Sequence, residues 1–196
     1  MKKIFFFKEL LGFLLVINFI FVGKADAVII KSNELALLKK GEIIQSSLSS
    51  QLRKGLKGSE SKILINAPVE KVWKILDEKE NLPKFISYVK DAKVISERND
   101  IQTVDTTIEL CKLLPTFQYK LLFDRSDKYK TMKFKKIDGA FKELYGYFEM
   151  IPYQNKTIFA YRIYSDPGFY IPKTILKVMG GNAEDVMLSV KREAEK

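Results

Sequence analysis

Between Val104 and Ile163 apolar and polar residues alternate through five successive short segments, and this period of two constrains the fold more than anything else in the chain. Val104, Thr106, Ile108 and Leu110 oppose Asp105, Thr107 and Glu109; Phe117, Tyr119, Leu121 and Phe123 oppose Gln118 and Lys120. Met132 and Phe134 oppose Lys133 and Lys135. Leu144, Phe148 and Met150 oppose Glu143 and Glu149, and Phe159, Tyr161 and Ile163 oppose Arg162. Turn signals part the segments at Leu113-Leu114-Pro115, Ser126-Asp127, Asp138-Gly139 and residues 152–155. The pattern predicts an antiparallel meander with one greasy face. That face needs a cover, and residues 170–196 offer the only long amphipathic helix, with Ile175, Val178, Met179, Val186, Met187, Val190 and Ala194 on one side. Gly180-Gly181 interrupts it; each glycine costs up to about 1 kcal/mol relative to alanine in a helix interior, so a kink is expected there.

Residues 63–95 precede the meander and read as strand, two helices, strand. Ile63, Leu64 and Ile65 favour a strand, and Pro68, which has no N–H to give a ladder, suits the first position of a helix. From there Val69, Val72, Trp73 and Leu76 recur at helical spacing, with Trp73 expected in the core. A second short helix is expected around residues 83–88 and a strand from Lys93. Upstream, residues 28–40 predict a short helix carrying Leu35, Leu37 and Leu38 and stopped by Gly41. Residues 42–53 and 59–66 can pair as strands about the loop 54–58, although the serines at 46, 47, 49 and 50 are weak strand formers.

The order strand, APVEKVW helix, LPKF helix, strand is similar to the opening of the START-like (SRPBCC) superfamily, which includes polyketide cyclase/dehydrase and coenzyme-Q-binding START-type domains. The resemblance rests on Ile65, Ala67, Pro68, Val72, Trp73, Leu82, Pro83 and Phe85. It continues through Asp138-Gly139, Gly146-Tyr147-Phe148, the segment Thr157 to Tyr161, Asp166-Pro167 and Ile171-Pro172 into the final helix, although Phe148 stands where many members have tryptophan. The resemblance implies an α+β helix-grip fold: a curved antiparallel β-sheet wrapped around a long C-terminal helix, with a cavity between them. It also implies a hydrophobic ligand, such as a lipid, a quinone or a polyketide-like molecule.

Three spans are expected: a signal peptide at 1–27, a lead-in segment at 28–41 and the helix-grip domain at 42–196. Lys2 and Lys3 followed by the apolar run 10–22 and the small-x-small triplet Ala25-Asp26-Ala27 form an export signal cleaved after Ala27, which places the mature protein in the periplasm. The alternatives are an uncleaved anchor in the inner membrane and a eukaryotic secretory route, in which Asn155-Lys156-Thr157 would be a glycosylation sequon. The net charge of +10 favours anionic partners, yet the lysines are spread along the chain and match no nucleic-acid-binding motif, so no nucleic acid is expected. Histidine is absent and Cys111 is the single cysteine. That removes histidine-based nucleophile pairs, histidine-ligated metals and any intrachain disulfide. No cofactor or metal is called for, and a monomer is expected.

In the expected cavity, Ile108, Phe117, Tyr119, Phe134, Leu144, Phe148, Phe159, Tyr161, Ile175, Met179 and Met187 are the candidate ligand-binding residues. Methionines at 132, 150, 179 and 187 suit an adaptable apolar lining, and the Tyr119 and Tyr161 hydroxyls can orient a polar head. The competing reading is a solid core closed by the phenylalanines. Catalysis needs a titratable group aimed inward. Asp105, Glu109, Glu143, Glu149 and Arg162 face outward by alternation, leaving tyrosines and Lys136, so binding with transport or sequestration is expected ahead of a cyclase/aromatase-type or hydrolytic reaction. A protein-interaction module of the envelope is the third class. Leu113, Leu114, Phe169 and Tyr170, flanked by Lys112 and Lys173, are the candidate contacts with an anionic membrane.

Overall fold

Eight strands make one antiparallel sheet in the computed structural model of the chain, which describes residues 28–196 except 52, 55, 111, 113, 169, 171, 172 and the side chains of 173–182. The strands are β1 (Ile44–Ser49), β2 (Lys57–Ile65), β3 (Val89–Arg98), β4 (Ile101–Ile108), β5 (Phe117–Asp127), β6 (Thr131–Gly139), β7 (Glu143–Tyr153) and β8 (Lys156–Asp166). Their spatial order is β1-β2-β8-β7-β6-β5-β4-β3, so the meander runs back until β8 lies beside β2. Between β2 and β3 the chain passes through α2 (Val69–Asp77) and a 3₁₀ helix (Lys79–Lys84); α1 (Ser32–Lys39) precedes the sheet and α3 (Lys173–Ala194) follows it. This is the expected α+β helix-grip fold, a curved open sheet closed by a C-terminal helix. Residues 1–27, where the export signal was expected, lie outside the described residues.

Register carries the alternation through. Phe148 faces Tyr161 and Met150 faces Phe159 across β7 and β8, Ile63 faces Phe159 across β2 and β8, and Phe123 faces Phe134 across β5 and β6. These residues share the concave face with Val104, Ile108 and Leu121 and, together with Val186, Met187 and Val190 of α3, form the main core. Three hydrogen bonds pin the end of α3. Lys191 Nζ donates to the Leu64 carbonyl at 2.8 Å, the Asn66 amide donates to Glu195 Oε1 at 2.7 Å, and Ser87 Oγ donates to Asp185 at 2.7 Å.

Three local expectations need correction. The second short helix is a 3₁₀ segment and starts earlier than expected: α2 ends at Glu78 (ψ 70°), Pro83 withholds one backbone donor, and Phe85 at φ −135° ends the segment. The expected pairing of 42–53 with 59–66 is present as β1 with β2, from Ile44↔Lys62 to Ser49↔Lys57, whatever the serine side chains prefer. The α3 helix runs through Gly180-Gly181 without a break; two glycines weaken a helix but donate and accept like other residues. Finally, Glu149 and Arg162 do lie on the convex face but are not solvated, since that face is itself covered. Leu38 of α1 is fully buried against Leu64 and Ile158, with Leu35, Ile44, Ile151 and Tyr153 around it. Beside this second core, charges pair in a chain: Glu34 with Lys62 (3.4 Å), Lys62 with Glu60 (2.9 Å), Glu60 with Arg162 (2.5 Å) and Arg162 with Glu149 (3.5 Å). Burial raises the Glu149 carboxyl above its ordinary value although Arg162 pulls it down.

Candidate ligand-binding site

The concave face and α3 do not meet everywhere. Between them lies a cavity of about 600 Å³. Its floor is aromatic: Phe123, Phe134, Phe148 and Tyr161 run across β5, β6, β7 and β8 with ring centres 5.9, 5.3 and 5.0 Å apart in sequence. Gly146 permits this row, because a Cβ there would collide with the Phe134 ring and the Arg162 carbonyl. The rings tilt alongside one another on neighbouring strands, and the space above them stays open.

Of the expected lining residues, Ile108, Tyr119, Phe134, Leu144, Phe148 and Tyr161 face the cavity. Phe117, Phe159 and Met187 are buried in the core around it but do not line it. The methionines follow the same rule. Met132 and Met150 are core residues behind the lining, so they fill gaps between elements and do not supply an adaptable wall. The side chains of Ile175 and Met179 lie outside the described residues, as do Leu113 and Phe169. Leu114 is half-buried and Tyr170 is 85% exposed. The Lys136 ammonium donates to the Gly139 carbonyl at 3.3 Å and is not in the lining.

Polar groups are sparse and sorted by position. At the β1 edge, register aligns Gln45 with Ser61 and Ser47 with Ser59, and these side chains with Ser165 make a hydroxyl-rich lip. Deeper in, Tyr88, Tyr119 and Tyr161 line one space, and burial holds all three phenols far above their ordinary ionisation range. They act as neutral hydroxyls at any physiological pH. Phe141 closes part of the wall near the β6–β7 turn; its backbone sits at φ +69°, and its ring meets those of Phe117 and Tyr119 at 5.4 and 5.5 Å.

Sequence reasoning missed Lys79. It begins the 3₁₀ helix, is 1% exposed, and lines the cavity beside Leu76 and Phe123. Its ammonium donates to the Leu76 carbonyl, lies 3.1 Å from Met132 Sδ and stands 4.3 Å from the centre of the Phe123 ring. Burial pulls its pKa down to about 7, with Asp77 opposing. A signal was available: position 79 continues the inward stripe of Val72 and Leu76 by one more turn. The residue type, which belongs on a solvated face, hid it. Tyr88, Leu110, Leu121 and Phe141 were also left out of the expected lining.

A curved sheet, a covering helix and an apolar hollow with few polar groups define a START-type ligand-cavity protein. The sequence profile of the polyketide cyclase/dehydrase and lipid transport family matches residues 65–190, and the chain belongs to that family. Among curated proteins a search finds no match. Similar solved structures include a START superfamily protein from Mycobacterium smegmatis (TM-score 0.63, 14% identity, 72% of this chain and 98% of that one). A STAR-related lipid transfer protein from Xanthomonas axonopodis aligns at TM-score 0.62 with 12% identity over 79% of this chain and 94% of that one. A Streptomyces aromatase/cyclase aligns at 0.61 with 12% identity over 71% and 94%. At such identities the likeness is one of fold.

Proposed function

We propose that this protein binds a hydrophobic small molecule between sheet and α3 and transports or sequesters it. The observation that carries this reading is the unfilled cavity of about 600 Å³, within the range of roughly 300–1,000 Å³ typical of small-molecule sites. Its walls are aromatic and aliphatic, so a guest gains about 0.8 kcal/mol for each buried methylene, before ordering costs, without any catalytic group. The lipid transfer and aromatase/cyclase proteins that share the fold are consistent with an apolar guest. Native mass spectrometry of the purified protein, with solvent extraction of what copurifies, tests it; Ala183→Trp, projecting from α3 into the hollow, should abolish the copurifying mass while the protein stays folded. A wild-type protein that carries nothing and takes up no hydrophobic probe would refute the reading.

A cyclase-type reaction is the second reading, favoured by one observation: Lys79, with its pKa drawn down to about 7, is a titratable group inside the hollow. Conversion of a hydrophobic polyketone by the wild type, lost in Lys79→Met, would establish it. We further propose that the chain is exported and that the end of the sheet bearing Leu114 and Tyr170 touches an anionic bilayer, where the lysines of a +10 chain add attraction.

A further inference from the structure

Resting on the hydrophobic-ligand reading, we propose that Lys79 is the polar anchor of the cavity and receives a carboxylate, so that the guest is a long-chain or polycyclic organic acid inserted acid end first. The Lys79 ammonium touches neutral groups only, the Leu76 carbonyl, the Met132 thioether and the face of Phe123, while Asp77 and Glu97 act on it from longer range and Arg125 opposes them. No carboxylate of the described residues forms an ion pair with it. The acids nearest in the fold are already committed. Arg125 of β5 holds Asp77 at 3.0 Å and Glu97 at 2.6 Å, drawing both away from the lysine. A buried cation with no carboxylate in contact is costly for a fold to keep, and the cost is relieved when an anion arrives beside it.

Lys79 forms part of the cavity wall beside Leu76, Phe123 and Leu82; its neighbour Met132 pairs with Phe148, which lies further along β7 than Leu144, the partner of Ser165 at the lip. A chain entering at the lip passes the three tyrosines and the aromatic floor before reaching the ammonium. A carboxylate arriving there displaces the weak thioether and ring contacts and leaves the Leu76 bond in place. The alternative acceptors are poorer matches. An alcohol or ester offers no charge to a desolvated ammonium, and the tyrosine hydroxyls, held neutral, give an acid hydrogen bonds without charge compensation.

The test uses delipidated protein, dodecanoate and dodecan-1-ol, whose chains are of equal length, with binding measured by titration calorimetry. Wild type should bind the acid at least about tenfold more tightly than the alcohol, the factor expected when a charge-assisted hydrogen bond replaces a neutral one. Lys79→Met, which keeps the length of the side chain and removes its charge, should erase that preference, so that acid and alcohol bind it with equal affinity. Equal affinity of the wild type for acid and alcohol overturns the anchor while leaving the apolar cavity intact, and this comparison needs no variant. Retention of the preference in a folded Lys79→Met assigns it to another group and also overturns the proposal. Binding of neither probe to the wild type defeats the hydrophobic-ligand reading itself.

Discussion

Lys79 should make the stability of the ligand-free protein depend on pH in a window where little else titrates. The lysine has an ordinary value of 10.5 in the unfolded chain and about 7 in the fold, burial being the main cause. Between those values the unfolded state holds more protons than the native one, so stability rises with pH; below about 7 both states are protonated and the whole penalty of the buried charge is present. At 1.36 kcal/mol per pH unit the full penalty is about 5 kcal/mol, and roughly 3 kcal/mol of it should be relieved between about pH 6 and about pH 9. Histidine is absent from the chain, so no imidazole titrates in that interval. Urea denaturation of wild type and Lys79→Met at both pH values isolates the effect, because everything else is common to the two proteins. Lys79→Met should be the more stable by several kcal/mol at the acid end, with an advantage that shrinks toward the alkaline end. Parallel pH profiles would show that the ammonium is solvated in the native state, and the account of the cavity's inner end would be wrong.

Gly146→Ala should lower stability by about 1–3 kcal/mol, read as a fall in thermal midpoint, because a Cβ there forces the Phe134 ring off the floor of the cavity; an unchanged midpoint would mean the aromatic row has room to shift. Arg162→Met removes the cation between Glu60 and Glu149 and should cost about 3–5 kcal/mol near neutral pH. The cost should lessen on acidification, since the Glu149 carboxyl is already raised and protonation neutralises it; a pH-independent loss of stability would contradict that origin. Leu114→Ser combined with Tyr170→Ser should weaken flotation with phosphatidylglycerol vesicles by about tenfold and leave flotation with neutral vesicles low throughout. Binding that does not change would dismiss this surface as the membrane contact.

The strands and their inward faces were legible because a half-buried sheet imposes a period of two, and Phe117 to Phe123 or Phe159 to Ile163 have hardly any other reading. The core face of α2 was legible from the helical period instead: Trp73, on the stripe of Val72 and Leu76, is 3% exposed. What alternation cannot report is a second cover. Arg162 and Glu149 were assigned correctly to the convex face and wrongly to water, because the segment that reaches them, with the Val28 amide on Glu149, lies more than a hundred residues earlier in the chain. Nor does periodicity distinguish lining from packing. Phe159 and Phe148 obey one rule, and only the position of α2 and α3 decides that the first is sealed into the core while the second faces the hollow. Lys79 was lost because its type overrode its phase, and Phe141 because it sits with positive φ in a turn, where neither period applies.

The hollow follows from the sizes of the two layers. Eight strands at about 4.8 Å spacing span roughly 34 Å along the sheet, whereas a helix with its side chains is about 10–12 Å across. One helix cannot cover that width, and curling the sheet recovers only part of it. The chain spends its remaining bulk at one end, where Val72, Trp73 and Leu76 of α2 meet Ile63, Ile65 and Met150, and at the other, where Phe141 folds in over Phe117 and Tyr119. Among the described residues nothing is left for the middle. Closing it with protein alone would require the four floor rings to rise off the sheet into α3, but they are held by one another at 5.0–5.9 Å and by the notch at Gly146. On the proposed reading, a guest of the right volume would complete the missing part of the helical layer. Its gain would come from apolar area that the empty protein leaves exposed to the cavity, and its orientation would be set by the polar groups of the wall: serines at the lip, three tyrosine hydroxyls along the way and, on our proposal, one lysine at the inner end.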